Sequence, residues 1–599
     1  MKTTRALLLV FLTLVLAETQ FAHDKHHPSV YDAVAKITQR MSNELTPAEL
    51  KQLSEEKVLD LLTAEERKIL SSGFLCFKSN RSVTVYVAVR ANEQPPFWLA
   101  EQKFSETKLS VNNTVDGEYK LWRKKFDAGE IGLGVHSLYG GGRHYVVFVK
   151  PKSGTKLKIS DLYPGQHEAV EAKAGAKFYI DRDGAIENLP TELAGATLIQ
   201  TLNANRDVGR LLGVLYTTRY PSTAQPDQIV LSWTENPRTT QTISWRSDTT
   251  ITSAAVFYQP KNEFKTFIPK NPQVVGATTT RLETPELIGD RVVHRHHATL
   301  RDLKPHTTYV YSVGSDDGTT ISDLLEFTTA PDNTIPFSFM YLGDAQNGLD
   351  RWGSLMKTAH RMRPDVAFIL MAGDQVNRGA QRDDWDDLFH NGALNFATKP
   401  LMTTIGNHEC QGGYPGLYLK ILNLPINGPK ELEPERAYSF EYGNALFVVL
   451  DSNEDPNKQT RWLDSTLTFS SATWKFALFH HPIYSSKGSR DNPELRNAWA
   501  PIFDKHHVDM VLQGHDHAYL RTHPMRDNKR VSSPKEGTVY VVSFSGMKMY
   551  DQQEADYTAV GFTKTATFQI LDIQLAGNRL LYRSYNADGN LVDDLEILK

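Results

Sequence analysis

The sequence predicts a multidomain chain, with strand-rich domains first and an α/β domain over its C-terminal part. Three observations carry this. The chain has 599 residues, enough for roughly three or four domains of ordinary size. From residue 73 to 331, β-branched and aromatic residues alternate or cluster between Gly- and Pro-rich turns, as in SVTVYVAVR, HYVVFVKP and YGGGR. Past residue 335 the pattern becomes strand, loop, helix, repeated. The 66 basic and 70 acidic residues leave a net charge of −4, which gives no argument for a nucleic acid or an anionic membrane as partner.

At the N-terminus, Lys2 and Arg5 precede an apolar run from Ala6 to Leu16, and Val15 and Ala17 suit the small-residue cleavage rule. Residues 1–17 therefore read as a secretory signal peptide, and the expected location is secreted or periplasmic. No other segment approaches a transmembrane length, so no membrane span is expected. His23, His26 and His27 read as part of a polar, disordered N-terminus rather than as a metal site.

Residues 18–72 form a helical N-terminal segment. Leu50, Leu53, Leu59, Leu62 and Leu70 recur near helical spacing, and Thr46-Pro47-Ala48-Glu49 reads as an N-cap, a proline at the first helical position and a capping-box acid. Residues 73–222 form a β-rich domain without a catalytic constellation, and a glycan or surface partner is one role open to it. Residues 223–331 are strand-rich again. There Leu303, Pro305, Thr307 and Tyr309 resemble the tyrosine corner of fibronectin type III domains, with Trp245 as the expected core tryptophan. His294 to His297 alternate across a strand and read as packed or solvated strand residues rather than metal ligands. Cys76 and Cys410 are the only cysteines, which excludes a disulfide framework.

In residues 335–599 the candidate strands end in polar clusters. FSFMYLGD ends at Asp344, DVAFILMAGD at Asp374, PLMTTIGNHE at Asn407, His408 and Glu409, WKFALFHHP at His480 and His481, and VDMVLQGHDH at His515 and His517. In α/β sheets, ligands gather beyond the carboxyl ends of strands. Mixed Asp, Asn and His donors suit borderline ions such as zinc, iron or manganese. A shared carboxylate lets six or seven donors hold two ions, and such a pair can clamp a phosphoryl group.

In this order, GD at Asp344, GDQVNRG at 373–379, GNHE at 406–409, HHPIY at 480–484 and GHDH at 514–517 resemble the blocks of calcineurin-like metallophosphoesterases. The preceding sandwich, GHDHAYLR and the C-terminal TATFQILDIQLAGNRLLYRSYNADGNLVDD resemble the purple acid phosphatase branch. The resemblance covers about 223–599. It implies a metallophosphoesterase sandwich of mixed β-sheets flanked by helices, preceded by a fibronectin type III-like domain. It implies that Asp374 bridges two metal ions, that Asp344 and His517 hold the first, and that Asn407, His480 and His515 hold the second. His408 would protonate the leaving oxygen or position the phosphate.

Two departures stand out. Asn377 occupies the place of the tyrosine that ligates the ferric ion in purple acid phosphatases, so a colourless enzyme is expected. Gln346 occupies the place where other metallophosphoesterases carry a histidine. Either carboxamide could ligate the first metal, or only hydrogen-bond to its ligands. Arg378 could grip phosphate through two parallel hydrogen bonds, or pair with the acidic run Asp383, Asp384, Asp386 and Asp387.

The function these features imply is an exported dinuclear-metal phosphatase, acid phosphatase-like, that hydrolyses small-molecule phosphate monoesters by attack of a metal-activated hydroxide. A phosphodiesterase of the same superfamily is one alternative. An exported adhesion or carbohydrate-binding protein with a secondary phosphatase domain is the other.

Overall fold

The computed structural model describes residues 29–152, 157–264, 271–332, 334–411, 413–574 and 577–599. The signal peptide at 1–17 and His23, His26 and His27 lie outside these residues. The chain forms two compact units. One comprises the described residues up to Thr217 together with Pro285–Gly289, and the other runs from Thr218 to Lys599 without that segment.

The N-terminal unit starts with four helices, Val30–Glu44, Pro47–Lys51, Glu55–Leu61 and Ala64–Ser72. Thr46 accepts a hydrogen bond from Glu49 N–H, and the Glu49 carboxylate accepts one from Thr46 N–H. This reciprocal box starts the second helix, with Pro47 in its first turn. Thr63 and Glu66 repeat the device at the fourth. Ile37, Met41, Val58 and Leu70 bury their side chains in the same core as Phe74, Val85, Trp98 and Val147. Helices and strands here thus share one core. Its main sheet has seven antiparallel strands, with Val83–Arg90 between Val146–Pro151 and Gly117–Phe126.

The second unit opens with two four-stranded antiparallel sheets. One is ordered Asp227–Ser232, Gln241–Ser247, Val292–Leu300, Thr278–Glu283, the other Gln273–Gly276, Ala254–Pro260, Thr308–Ser315, Leu325–Thr328. Trp245 is fully buried with Ile243, Leu300 and Tyr311. Lys304 N–H donates to the Tyr309 hydroxyl at 2.9 Å. His296 is held between Ser247 and Thr279 against the Trp245 ring, so it is a packed strand residue. Arg246 crosses from this sandwich to the helix Arg382–Phe396, where it meets Asp386 at 2.8 Å with both side chains buried.

The remainder is a four-layer α/β/β/α domain. Its first sheet runs Leu401–Thr403, Ile369–Met371, Phe337–Leu342, Thr567–Gln574, Arg579–Asn586, Leu591–Leu598, and the first three strands are parallel. The second has a parallel run Ala445–Val449, Trp474–Leu478, Met510–Gln513, Val539–Val542. Both sheets are mixed, because antiparallel strands complete them. Phe339 of the first sheet meets Phe447 and Phe476 of the second at 5.1 and 5.2 Å, which closes the layer between them. Leu463, Trp499 and Phe503 of the helices Asn457–Phe469 and Pro493–His506 cover the outer face of the second sheet. Among the described residues, no helix is long and apolar enough to cross a membrane. Both cysteines are free thiols.

Candidate metal centre

Five loops that follow parallel strands bring their polar ends together. Each loop must reverse sharply, and the backbone shows how. Asp344, Asp374, His515 and His517 all have positive φ, at 40°, 49°, 75° and 48°. Left-handed backbone is unfavourable for a residue with a side chain, and it concentrates at functional sites. Glycines allow the close approach. A Cβ on Gly406 would run into Asp374, and one on Gly514 would lie 2.5 Å from Asp344 Oδ2.

Two groups of side chains result. Asp344, Asp374 and His517 present oxygen and nitrogen atoms all within 4.8 Å of one another, and so do His480, His481 and His515. Asn407 joins the second group, because its Oδ1 lies 2.9 Å from His515 Nδ1 and 3.1 Å from His480 Nε2. His515 Nδ1 and His480 Nε2 are themselves 3.1 Å apart. Asp374 faces both groups. Its Oδ1 is 3.3 Å from His480 Nε2, and its Oδ2 accepts a hydrogen bond from Gln346 at 2.8 Å. Gln346 Nε2 in turn lies 3.2 Å from His517 Nε2.

The second partners of the imidazoles set their tautomers. His480 Nδ1 donates to the Ala372 carbonyl at 2.8 Å, and His517 Nδ1 donates to the Lys548 carbonyl at 2.7 Å. In both rings Nε2 is turned toward the group and offers it a lone pair once its proton is displaced, the arrangement typical of metal-ligating histidines. Asp344 Oδ1 and Gln346 Oε1 are buried without a hydrogen-bond partner among the described residues. Buried polar atoms are normally paired, so these orphans and the crowded lone pairs fit cations between them.

The electrostatics agree. Burial pushes Asp344 well above the usual carboxylate range, with Asp374 adding to the effect. Burial pulls the His480 imidazole down, but Asp374 and Asp344 outweigh it and hold it up at about 10. Burial also opposes ionisation of Asp374, and His480 overcomes this to bring it to about 2. The pocket therefore gathers protons to neutralise its acids, a task that metal ions would take over.

The remaining side chains take these places. His408 Nδ1 donates to the Asn377 carbonyl at 2.6 Å, and its Nε2 lies 3.9 Å from Asp374 Oδ2. Asn377 thus contributes a backbone oxygen to His408, while Gln346 is the carboxamide that reaches the first group. Arg378 turns to the acidic run, with Nη2 at 2.7 Å from Asp383 and 2.5 Å from Asp384. His481 hydrogen-bonds Ser452 through Nδ1 and packs on the His515 ring.

Two buried acids carry roles that their place in the sequence does not mark. Glu409 accepts N–H groups of Asp374, Gln375, Val376 and Gly406, and so ties the second strand-end loop to the third. Burial and Asp374 push its carboxyl up to about 8, against His480 and the N–H groups of Gly406 and Val376. Asp516 faces away from the candidate ligands on either side of it and holds Ser486 N–H and Arg490. The GNHE and GHDH blocks contain both residues, but only their packing shows what they do.

Residues 226–329 match the model of the purple acid phosphatase N-terminal domain, and residues 337–519 match that of the calcineurin-like phosphoesterases. Together these matches support a purple acid phosphatase-like metallophosphoesterase. The chain is 26% identical over 340 residues to an uncharacterized protein of Mycobacterium tuberculosis, covering 49% of this chain and 62% of that one. The chain thus spans less than two thirds of that relative's length. It is 24% identical over 375 residues to probable purple acid phosphatase 20 of Arabidopsis thaliana, covering 60% and 82% of the two chains. Purple acid phosphatase PPD1 from yellow lupin seeds shares the fold, with a TM-score of 0.54 at 17% identity over 86% of this chain and 90% of that one. The family implies metal ions, and the groups Asp344, Asp374, His517 and His480, His481, His515 are ones that could hold them.

Proposed function

We propose that the protein is a dinuclear-metal phosphomonoesterase working outside the cytoplasm. The observation that carries the reading is Asp374, whose two carboxylate oxygens face two separate donor groups. Asp344 and His517, with Gln346 beside them, would hold one ion, and Asn407, His480 and His515 the other. Such cations supply charge for the phosphoryl oxygens and acidify a water molecule. The chain's own part is orientation and proton delivery. Carbonyl anchors fix His480 and His517, and Glu409 fixes the loop of Asp374. His408 keeps Nδ1–H on the Asn377 carbonyl, so Nε2 can carry a proton to the leaving oxygen. As water oxygen bonds to phosphorus, the ester P–O bond breaks, and that proton converts the leaving alkoxide or phenoxide to the alcohol or phenol.

An aryl monoester belongs with the compact centre, and a phosphodiesterase would prefer the diester. The basic and apolar N-terminal segment supports export. The test is phosphate release by metal-loaded protein from an aryl phosphate and an aryl alkyl phosphodiester, with metal content measured on the same sample. Faster turnover of the monoester, lost on chelation and restored by metal, is expected. A fully loaded sample without activity on either ester would overturn the reading.

A further inference from the structure

We infer that Arg490, positioned by Asp516, binds the phosphoryl group of the substrate; the assignment rests on the phosphatase reading above. Arg490 closes the turn Gly488–Arg490, in the connection between the strand that precedes His480 and the helix Pro493–His506. Its Nε donates to Asp516 Oδ1 at 2.7 Å, and its Nη2 donates to the His515 carbonyl at 2.9 Å. Asp516 is fully buried, and its other oxygen takes Ser486 N–H at 2.5 Å. One edge of the guanidinium is therefore tied to the loop that carries His515 and His517.

The other edge is free. Nη1 has no hydrogen-bond partner among the described residues, and 27% of the side chain is exposed. The group also lies over the Tyr550 ring at 5.1 Å, and that ring is 4.8 Å from the ring of His517. Arg490 thus touches the backbone of His515 and is one ring removed from His517. A guanidinium anchored along Nε and Nη2 still offers Nη1 and the second Nη2 hydrogen, a fork that fits two phosphoryl oxygens. Arg378 differs in what holds it: its Nε and Nη2 meet two carboxylates, Asp383 and Asp384, which leave no net positive charge, whereas Arg490 meets one carboxylate and a neutral carbonyl.

The test uses full-length, metal-loaded protein. Calorimetry measures binding of inorganic phosphate, kinetics give KM and kcat for an aryl phosphate, and elemental analysis gives metal content. Arg490→Gln should weaken phosphate and raise KM about tenfold or more with metal content unchanged. Arg490→Lys keeps the charge without the fork and should recover only part of the loss. Asp516→Asn should shift both constants in the same direction by a smaller factor. Arg490→Gln that binds phosphate within about twofold of the parent would overturn the assignment, with the phosphatase reading intact. If Arg490→Gln loses metal, Arg490→Lys decides: unchanged phosphate affinity overturns the assignment, and affinity between the other two supports it. A loaded parent that neither binds phosphate nor hydrolyses any ester would overturn the phosphatase reading and this assignment with it.

Discussion

The N-terminal unit buries His136, His144 and His167, and the α/β domain buries His480 and His517, with His515 half-buried beside them, around its strand ends. The two sets use the same side chain to different effect. In the N-terminal unit the imidazoles lie among rings: His144 packs on Tyr145 and Phe74, His136 on His144, and His167 on Phe74. Each keeps one ring nitrogen without a partner among the described residues, and the nearest acid to His136, Glu93, is 3.8 Å away. In the α/β domain a carbonyl holds one nitrogen of His480 and of His517, and oxygen donors crowd the other. Burial alone holds His167 down at about 4, and it dominates the lowering of His136 to the same value. Asp374 and Asp344 instead hold His480 up at about 10 against the same burial. Buried imidazoles thus make a candidate metal centre only where carboxylates share the pocket and the backbone aims the lone pairs inward.

The most severe break in this contrast is Asp374→Asn, which removes the charge that both donor groups share. Phosphate release should fall on the order of a thousandfold, and elemental analysis should show metal lost as well. His408→Ala should cut kcat roughly a hundredfold with full metal content, and less for aryl esters whose leaving group needs no proton.

Acid should separate the two histidine sets by stability. His136 and His167 are depressed in the fold, so their contribution is complete above the unfolded value near 6.5 and is lost as pH falls from there toward 4. By pH 5 each costs about 2 kcal/mol. Hydrogen exchange, corrected for intrinsic rates, should show Val85 and Val147 losing protection between pH 7 and pH 5. His136→Phe should flatten that dependence, and an unchanged profile would remove histidine burial as its cause. The smallest effect is spectroscopic: with Asn377 in place of a tyrosine, an iron-loaded sample should show no phenolate charge-transfer band in the visible.

Only the α/β half of the contrast was legible in the sequence. Asp344, Asp374, Asn407, His480, His515 and His517 each follow an apolar run short enough to be a strand, and strand ends in α/β sheets face one side. The box at Thr46 and Glu49 was legible because its partners are three residues apart. What stayed hidden depends on contacts between distant stretches. Asp516 lies between two candidate ligands in the sequence, yet its partners Ser486 and Arg490 come from the preceding loop. Nothing local marks Glu409 as the acceptor of four backbone N–H groups, nor Asn377 as the carbonyl that orients His408. The core shared by the helices at 30–72 and the strands after residue 74 was hidden too, because amphipathic helices do not announce which sheet they cover.

The central claim is that Asp374 joins two cation sites. Anomalous diffraction from crystals of the metal-loaded protein, recorded above and below the metal's absorption edge, tests it most directly. The account predicts two peaks, one bounded by Asp344, Asp374 and His517 and the other by Asp374, Asn407, His480 and His515. A single peak, or peaks remote from Asp374, would contradict it.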